Sequence, residues 1–135
     1  MAKILLMEDD PQQRTLLASI LEDHGHDVAT AFNGTDALET ARREPFDLVL
    51  TDIIVQVDGH STPDGGISLI GKLRRAGPES ATSKDVPIIA ISGTYKNPGM
   101  EHILDTAKIV GATSELRKPI QKAVLLAIVT DTLQR

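Results

Sequence analysis

Apolar residues along this chain fall into two alternating patterns. Short continuous runs, KILLM (3–7), DVATA (27–31), LVLT (48–51) and VPIIAIS (86–92), read as strands, and TSELR (113–117) reads as a fifth, more polar one. Between them apolar residues recur at helical spacing: Leu16, Leu17, Ile20 and Leu21; then Ala37, Leu38 and Ala41; then Ile67, Leu69, Ile70 and Leu73. Two further helices are predicted over 98–110 and 119–133. The boundaries carry their own signals. Asp10-Pro11 is an N-cap followed by proline at the first helical position, Asn33-Gly34 opens the second helix, and Gly25 and Gly111 are fitting stops. The predicted pattern is therefore (βα)₅, an α/β domain with a parallel sheet. Strands one, three and four are apolar throughout, as strands covered on both faces should be.

Composition narrows the classes. The 135 residues suit one domain, 1–135, with no linker or repeat, and 41% hydrophobic with 24% charged residues is ordinary for a globular chain. A formal net charge of -5 disfavours direct nucleic-acid binding. The absence of cysteine excludes disulfides, thiolate metal sites and thiol catalysis. The opening MAKILLMEDD is too short an apolar run for a signal-peptide core, and Val124 to Val129 is far below membrane-span length. A cytoplasmic protein without membrane contact is expected.

Ligands of open parallel sheets bind beyond the carboxyl ends of the strands. Glu8, Asp9 and Asp10 follow strand one, Asp52 follows strand three, Ser92, Gly93 and Thr94 follow strand four, and Lys118-Pro119 follows strand five. Each has a plain structural reading. Asp10 before Pro11 is best taken as a helix N-cap, Ser92 alone as a turn residue, and Lys118 alone as a solvated lysine. Asp52, followed by Ile53 and Ile54, makes a poor cap, and packing alone rarely brings these groups to one edge. Clustered carboxylates need a cation, and with oxygen ligands and no cysteine the candidate is a hard ion, Mg²⁺ first. A lysine and a hydroxyl suit phosphoryl oxygens. The set reads as a Mg²⁺-assisted phosphoryl-transfer site with Asp52 as nucleophile.

ILLMEDDPQQR, FDLVLTDI, VPIIAISG and GATSELRKPI, in this order, make the chain resemble the receiver domain of two-component response regulators over its whole length. The resemblance implies a flavodoxin-like three-layer α/β fold with strand order 2-1-3-4-5. It implies that Asp52 is the phospho-acceptor, and that Asp9 holds Mg²⁺ directly and Glu8 through water, joined by Asp52 and the main-chain carbonyl of Ile54. Ser92 matches the switch hydroxyl and Lys118 the lysine that pairs with the phosphoryl group, and the Lys118-Pro119 bond is expected cis. The implied donor is a phosphohistidine on a sensor histidine kinase or a histidine phosphotransfer protein. A downstream protein partner or a second copy of the chain are further candidates. With no output domain expected after residue 135, the chain would act by partner contact or as a phosphate shuttle or sink, and not as a turnover enzyme.

Two departures from the family pattern stand out. The segment IIVQVDGHSTPDGGISLI replaces the usual shorter connection, with Asp58-Gly59 and Asp64-Gly65 as competing turn signals; it reads equally as a surface insertion or as a lid or partner-recognition loop beside Asp52, with His60 exposed. Glu115 stands where the family carries an aromatic rotor. In the last helix Ile120, Val124 and Ile128 form a stripe suited to cover the sheet. Leu125, Val129 and Leu133 form a second, either packed inside or offered for docking. Three alternatives remain: a degenerate receiver used for binding alone, an aspartate-nucleophile phosphohydrolase of the haloacid dehalogenase type, and a flavodoxin-like electron carrier. MEDDPQQ and 2% aromatic content speak against the last.

Overall fold

The computed structural model describes residues 2–53, 65–92 and 111–134, with the backbone alone for 55–57 and 60–62. The predicted helix over 98–110, together with Ile54, Gly93, Thr94 and Tyr95, lies outside the described residues.

The chain begins with β1 (Lys3–Met7), α1 (Pro11–Asp23), β2 (Asp27–Ala31), α2 (Gly34–Arg43) and β3 (Leu48–Asp52). A hairpin of β4 (Val55–Val57) and β5 (His60–Thr62) comes next, then α3 (Gly66–Arg74), β6 (Ile88–Ser92), β7 (Ser114–Arg117) and α4 (Lys122–Leu133). The main sheet has the order β2-β1-β3-β6-β7. All its pairings are parallel, with Ile4 beside Val28 and Leu48, Asp52 beside Ile91, and Ser92 beside Arg117. Counted without the hairpin this is the expected order 2-1-3-4-5.

The period-2 alternation of strand side chains divides the core into two layers. Leu5, Met7, Val49, Ile88 and Ala90 face α2 and α3, meeting Leu38, Ala41, Ile70 and Leu73. Ile4, Leu6, Leu48, Leu50, Ile89 and Ile91 face α1 and α4, meeting Leu17, Leu21, Leu125 and Val129. Every residue of β3 and β6 is buried, so their apolar runs mark the centre of the sheet. The helix starts follow their local chemistry. Asp10 accepts a hydrogen bond from the Gln12 amide at 3.1 Å, and Asn33 accepts one from the Asp36 amide at 2.8 Å.

Four expectations are corrected. The 53–65 connection is not turns alone: Val55–Val57 and His60–Thr62 pair as antiparallel strands, Val55 with Thr62 and Val57 with His60. Strand four begins at Ile88, two residues after Val86, and the last helix at Lys122, three after Pro119. In α4 the fully buried apolar residues belong to the second stripe, while Ile128 of the first, and Ile120 just before the helix, are half-buried against the same core. Leu125 and Val129 are fully buried while Val124 is 47% exposed. With apolar side chains on most sides, from Val124 to Leu133, the periodicity of α4 does not choose its buried face; packing against Leu17 and Leu21 does.

Candidate functional site

The strand ladder carries Glu8, Asp52, Ser92 and Lys118 to one edge. The Glu8 amide donates to the Ala31 carbonyl at 3.0 Å, extending the β1–β2 pairing one residue beyond β1. Glu8 is fully buried. Its Oε1 accepts the Asp10 amide at 3.2 Å, and its main-chain oxygen accepts Arg14 Nη1 at 2.8 Å. Asp52 closes β3 and is 4% exposed. The next amide, Ile53, donates to the Ile91 carbonyl at 3.0 Å, so the chain leaves the sheet along a fixed line. On that line the N-terminus of α3 comes against the Asp52 backbone. A Cβ on Gly66 would collide with the Asp52 carbonyl oxygen, so glycine is required by close approach and Gly66 is the helix-opening glycine.

Lys118 enters from β7. Its amide donates to the Ser92 carbonyl at 2.7 Å, and its bond to Pro119 is cis, as expected. The ammonium lies 2.9 Å from Asp52 Oδ2, as a hydrogen bond, and 3.3 Å from Glu8 Oε2. Ser92, buried at the end of β6, is one residue past the partner of Asp52. Asp9 is half-buried, and carboxylate oxygens of Glu8, Asp9 and Asp52 lie within 4.8 Å of one another. Asp10 is the N-cap that its neighbour Pro11 implied. Glu115 is half-buried on β7 beside Ala90, so an acidic residue does occupy the rotor position.

The electrostatics show which charge is in excess. Burial first, and then the neighbouring Asp52 charge, raise the Glu8 carboxyl to about 8, although Lys118 pulls the other way. Burial alone would lower the Lys118 ammonium, but the attraction of Asp52 and Glu8 outweighs it and holds it above the ordinary lysine value. Among the described residues one ammonium thus faces several carboxylates, and Glu8 Oε2, buried, accepts no hydrogen bond. That oxygen, ion-paired with Lys118 at 3.3 Å, and the three converging carboxylates form a donor set that suits a hard divalent cation. Sequence reasoning missed Arg14, which fixes the Glu8 backbone. The available signal was an arginine at the fourth position of α1, on the turn that caps the acidic segment.

A parallel sheet in this order, with acids, a hydroxyl and a lysine at its carboxyl edge, defines a phosphoryl-accepting signalling domain. The chain belongs to the response regulator receiver domain family, whose model matches residues 4–130. It is similar to the protein PilH of Pseudomonas aeruginosa, 32% identical over 133 residues and 98% of both chains. It is 31% identical to the transcriptional regulatory protein AfsQ1 of Streptomyces coelicolor, matching all of this chain but 52% of that one. Among solved structures it resembles the receiver domain of the sensor histidine kinase PA1611 from Pseudomonas aeruginosa. The TM-score is 0.79 and the identity 26%, covering 99% of this chain and 98% of that one, which carries a magnesium ion coordinated in its active site cleft. Family membership sets aside the phosphohydrolase and electron-carrier alternatives. No helix among the described residues is long and apolar enough to cross a membrane.

Proposed function

We propose that the chain is a phosphorylation-dependent switch that accepts a phosphoryl group on Asp52 from a phosphohistidine donor, with Mg²⁺ bound by Glu8, Asp9, Asp52 and the Ile54 carbonyl. The observation that carries this reading is the 2.9 Å bond from Lys118 to a buried aspartate at the carboxyl end of a central strand. A buried carboxylate oriented by a lysine ammonium at the end of a strand is placed to act as a nucleophile. Bound there, Mg²⁺ would neutralise charge shared between the carboxylates and the phosphoryl oxygens. The Asp52 oxygen forms the new bond to phosphorus as the phosphorus–nitrogen bond of the donor breaks, and the imidazole nitrogen keeps that electron pair. The product is an acyl phosphate. Lys118 then exchanges its carboxylate contact for a phosphoryl oxygen, and the Ser92 hydroxyl donates to another. The shift of Lys118 passes through the hydrogen bond that its amide N–H donates to the Ser92 carbonyl, which ties the end of β7 to β6. A sensor histidine kinase or a histidine phosphotransfer protein is the donor, and a protein partner or a second copy reads the result.

Incubation with acetyl phosphate and Mg²⁺ tests this. One acid-stable, base-labile phosphoryl group is expected on the wild type and none on Asp52→Asn. Lys118→Ala should remain folded while its phosphorylation or beryllofluoride-induced change is lost. Wild-type labelling of Asp52→Asn would sink the assignment.

A further inference from the structure

We propose that the α2–α3 face, at the sheet edge opposite the carboxylates, is a docking surface for an acidic segment of a partner protein. α2 and α3 pack against each other over the same core layer, and both end at that edge. α2 ends in Arg42 and Arg43, and α3 carries Lys72 in its last turn with Arg75 just beyond. The loop after α3 is stitched to both helix ends. The Ala81 amide donates to the Arg42 carbonyl at 2.9 Å and the Thr82 amide to the Ala41 carbonyl at 3.0 Å. The Arg74 guanidinium donates to the carbonyls of Lys84 and Val86 at 2.7 Å each. Lys84 is thereby fixed alongside the two helix ends. Arg42, Arg43, Lys72, Arg75 and Lys84 are all exposed, and none forms an ion pair among the described residues.

Five of the chain's 14 Lys and Arg residues thus gather at one place in a chain of net charge -5. Helix dipoles explain Arg42, Arg43 and Lys72, because cations favour helix C-termini. They do not explain Lys84, which follows no helix directly and is held there by the hydrogen bond from Arg74 to its carbonyl. The occupant follows from the shape of the charge. Glu39, Glu44, Glu79 and Asp85 interrupt the surroundings, so the positive footprint is short. An extended polyanion such as duplex DNA, or an anionic vesicle, would reach past so short a footprint onto these acids and the net negative surface beyond. Single-stranded nucleic acid needs stacking platforms, and Phe46, the aromatic between α2 and β3, is buried. A short acidic peptide segment can pair with these cations and avoid the acids between them.

Fluorescein-labelled octaglutamate, titrated by anisotropy at low ionic strength, is the probe. Binding should weaken as salt is added. Arg42→Gln, Arg43→Gln, Lys72→Gln and Arg75→Gln combined should weaken it about tenfold or more. Arg117→Gln with Lys122→Gln, at the opposite edge, should stay within about twofold of wild type. Unchanged circular dichroism confirms that the combined variant is folded. Asp52→Asn should bind as wild type does, so this result is independent of the phosphorylation chemistry. The proposal is overturned if octaglutamate does not bind, if the combined variant binds like wild type, or if duplex DNA or phosphatidylserine vesicles bind this face more tightly than the peptide.

Discussion

Glu8 sits fully buried with one oxygen satisfied by the Asp10 amide and the other by no hydrogen bond, and that imbalance has a measurable consequence. Its folded-state value is raised from 4.5 to about 8, chiefly by burial. Across that window the folded chain holds a proton that the unfolded chain has released, so its stability falls as pH rises. The raised Lys118 value lies above the window and leaves this sign unchanged. The melting temperature of Mg²⁺-free protein is therefore expected to drop between pH 4.5 and 8, and Glu8→Gln should flatten most of that slope. Added Mg²⁺, which binds the ionised form, should raise the melting temperature more at the upper end. A slope unchanged in Glu8→Gln would place the titration elsewhere. The acids themselves were legible in MEDD and LTDI, but their unequal burial was not. Glu8 and Asp9 are neighbours, and only the continuation of the β1 ladder to Ala31 decides that Glu8 turns inward.

At the scale of elements, α3 and α4 each make a claim that one substitution can check. The first turn of α3 abuts the Asp52 carbonyl, so Gly66→Ala must push the helix or the acceptor strand away. Overpacking of this kind costs about 1–3 kcal/mol. It should also slow labelling by acetyl phosphate, because Asp52 moves relative to Lys118; wild-type kinetics and stability would show that the contact is slack. In α4, Leu125→Ala is expected to cost about 2–5 kcal/mol, as for other fully buried leucines. Val124→Ala, on the exposed side, should stay within about 0.5 kcal/mol. Equal effects in chemical denaturation would contradict the observed face. The elements were mostly legible because apolar runs and helical spacing alternate cleanly, with Asp10, Gly25 and Asn33 punctuating them. The face of α4 was not, since a helix apolar on most sides takes its orientation from what it packs against. The β4–β5 hairpin was missed for another reason. Its strands are three residues each, too short for a period to declare itself, and Asp58-Gly59 competed with Asp64-Gly65 as the turn.

As a whole the molecule is polar from edge to edge. Among the described residues, carboxylates crowd the carboxyl end of the sheet around Lys118, while exposed cations without an ion pair gather at the other end around the tips of α2 and α3. The first pole follows from the α/β rule that sites form beyond strand ends, and so could be read from residue order alone. The second could not. Arg42, Arg43, Lys72, Arg75 and Lys84 are spread over three segments, and only the packing of α2 on α3 and the stitched 80–86 loop bring them together. The strand order likewise came from resemblance, since parallel strands carry no local signal of their neighbours. The central claim is that Asp52 forms an acyl phosphate. Borohydride reduction of the protein after incubation with acetyl phosphate and Mg²⁺, followed by peptide mapping, tests it most directly. Acyl phosphate is reduced to an alcohol, so residue 52 should be recovered as homoserine, and only when both phosphodonor and Mg²⁺ were present. Homoserine at another aspartate, or none at all in a phosphorylated sample, would contradict the account.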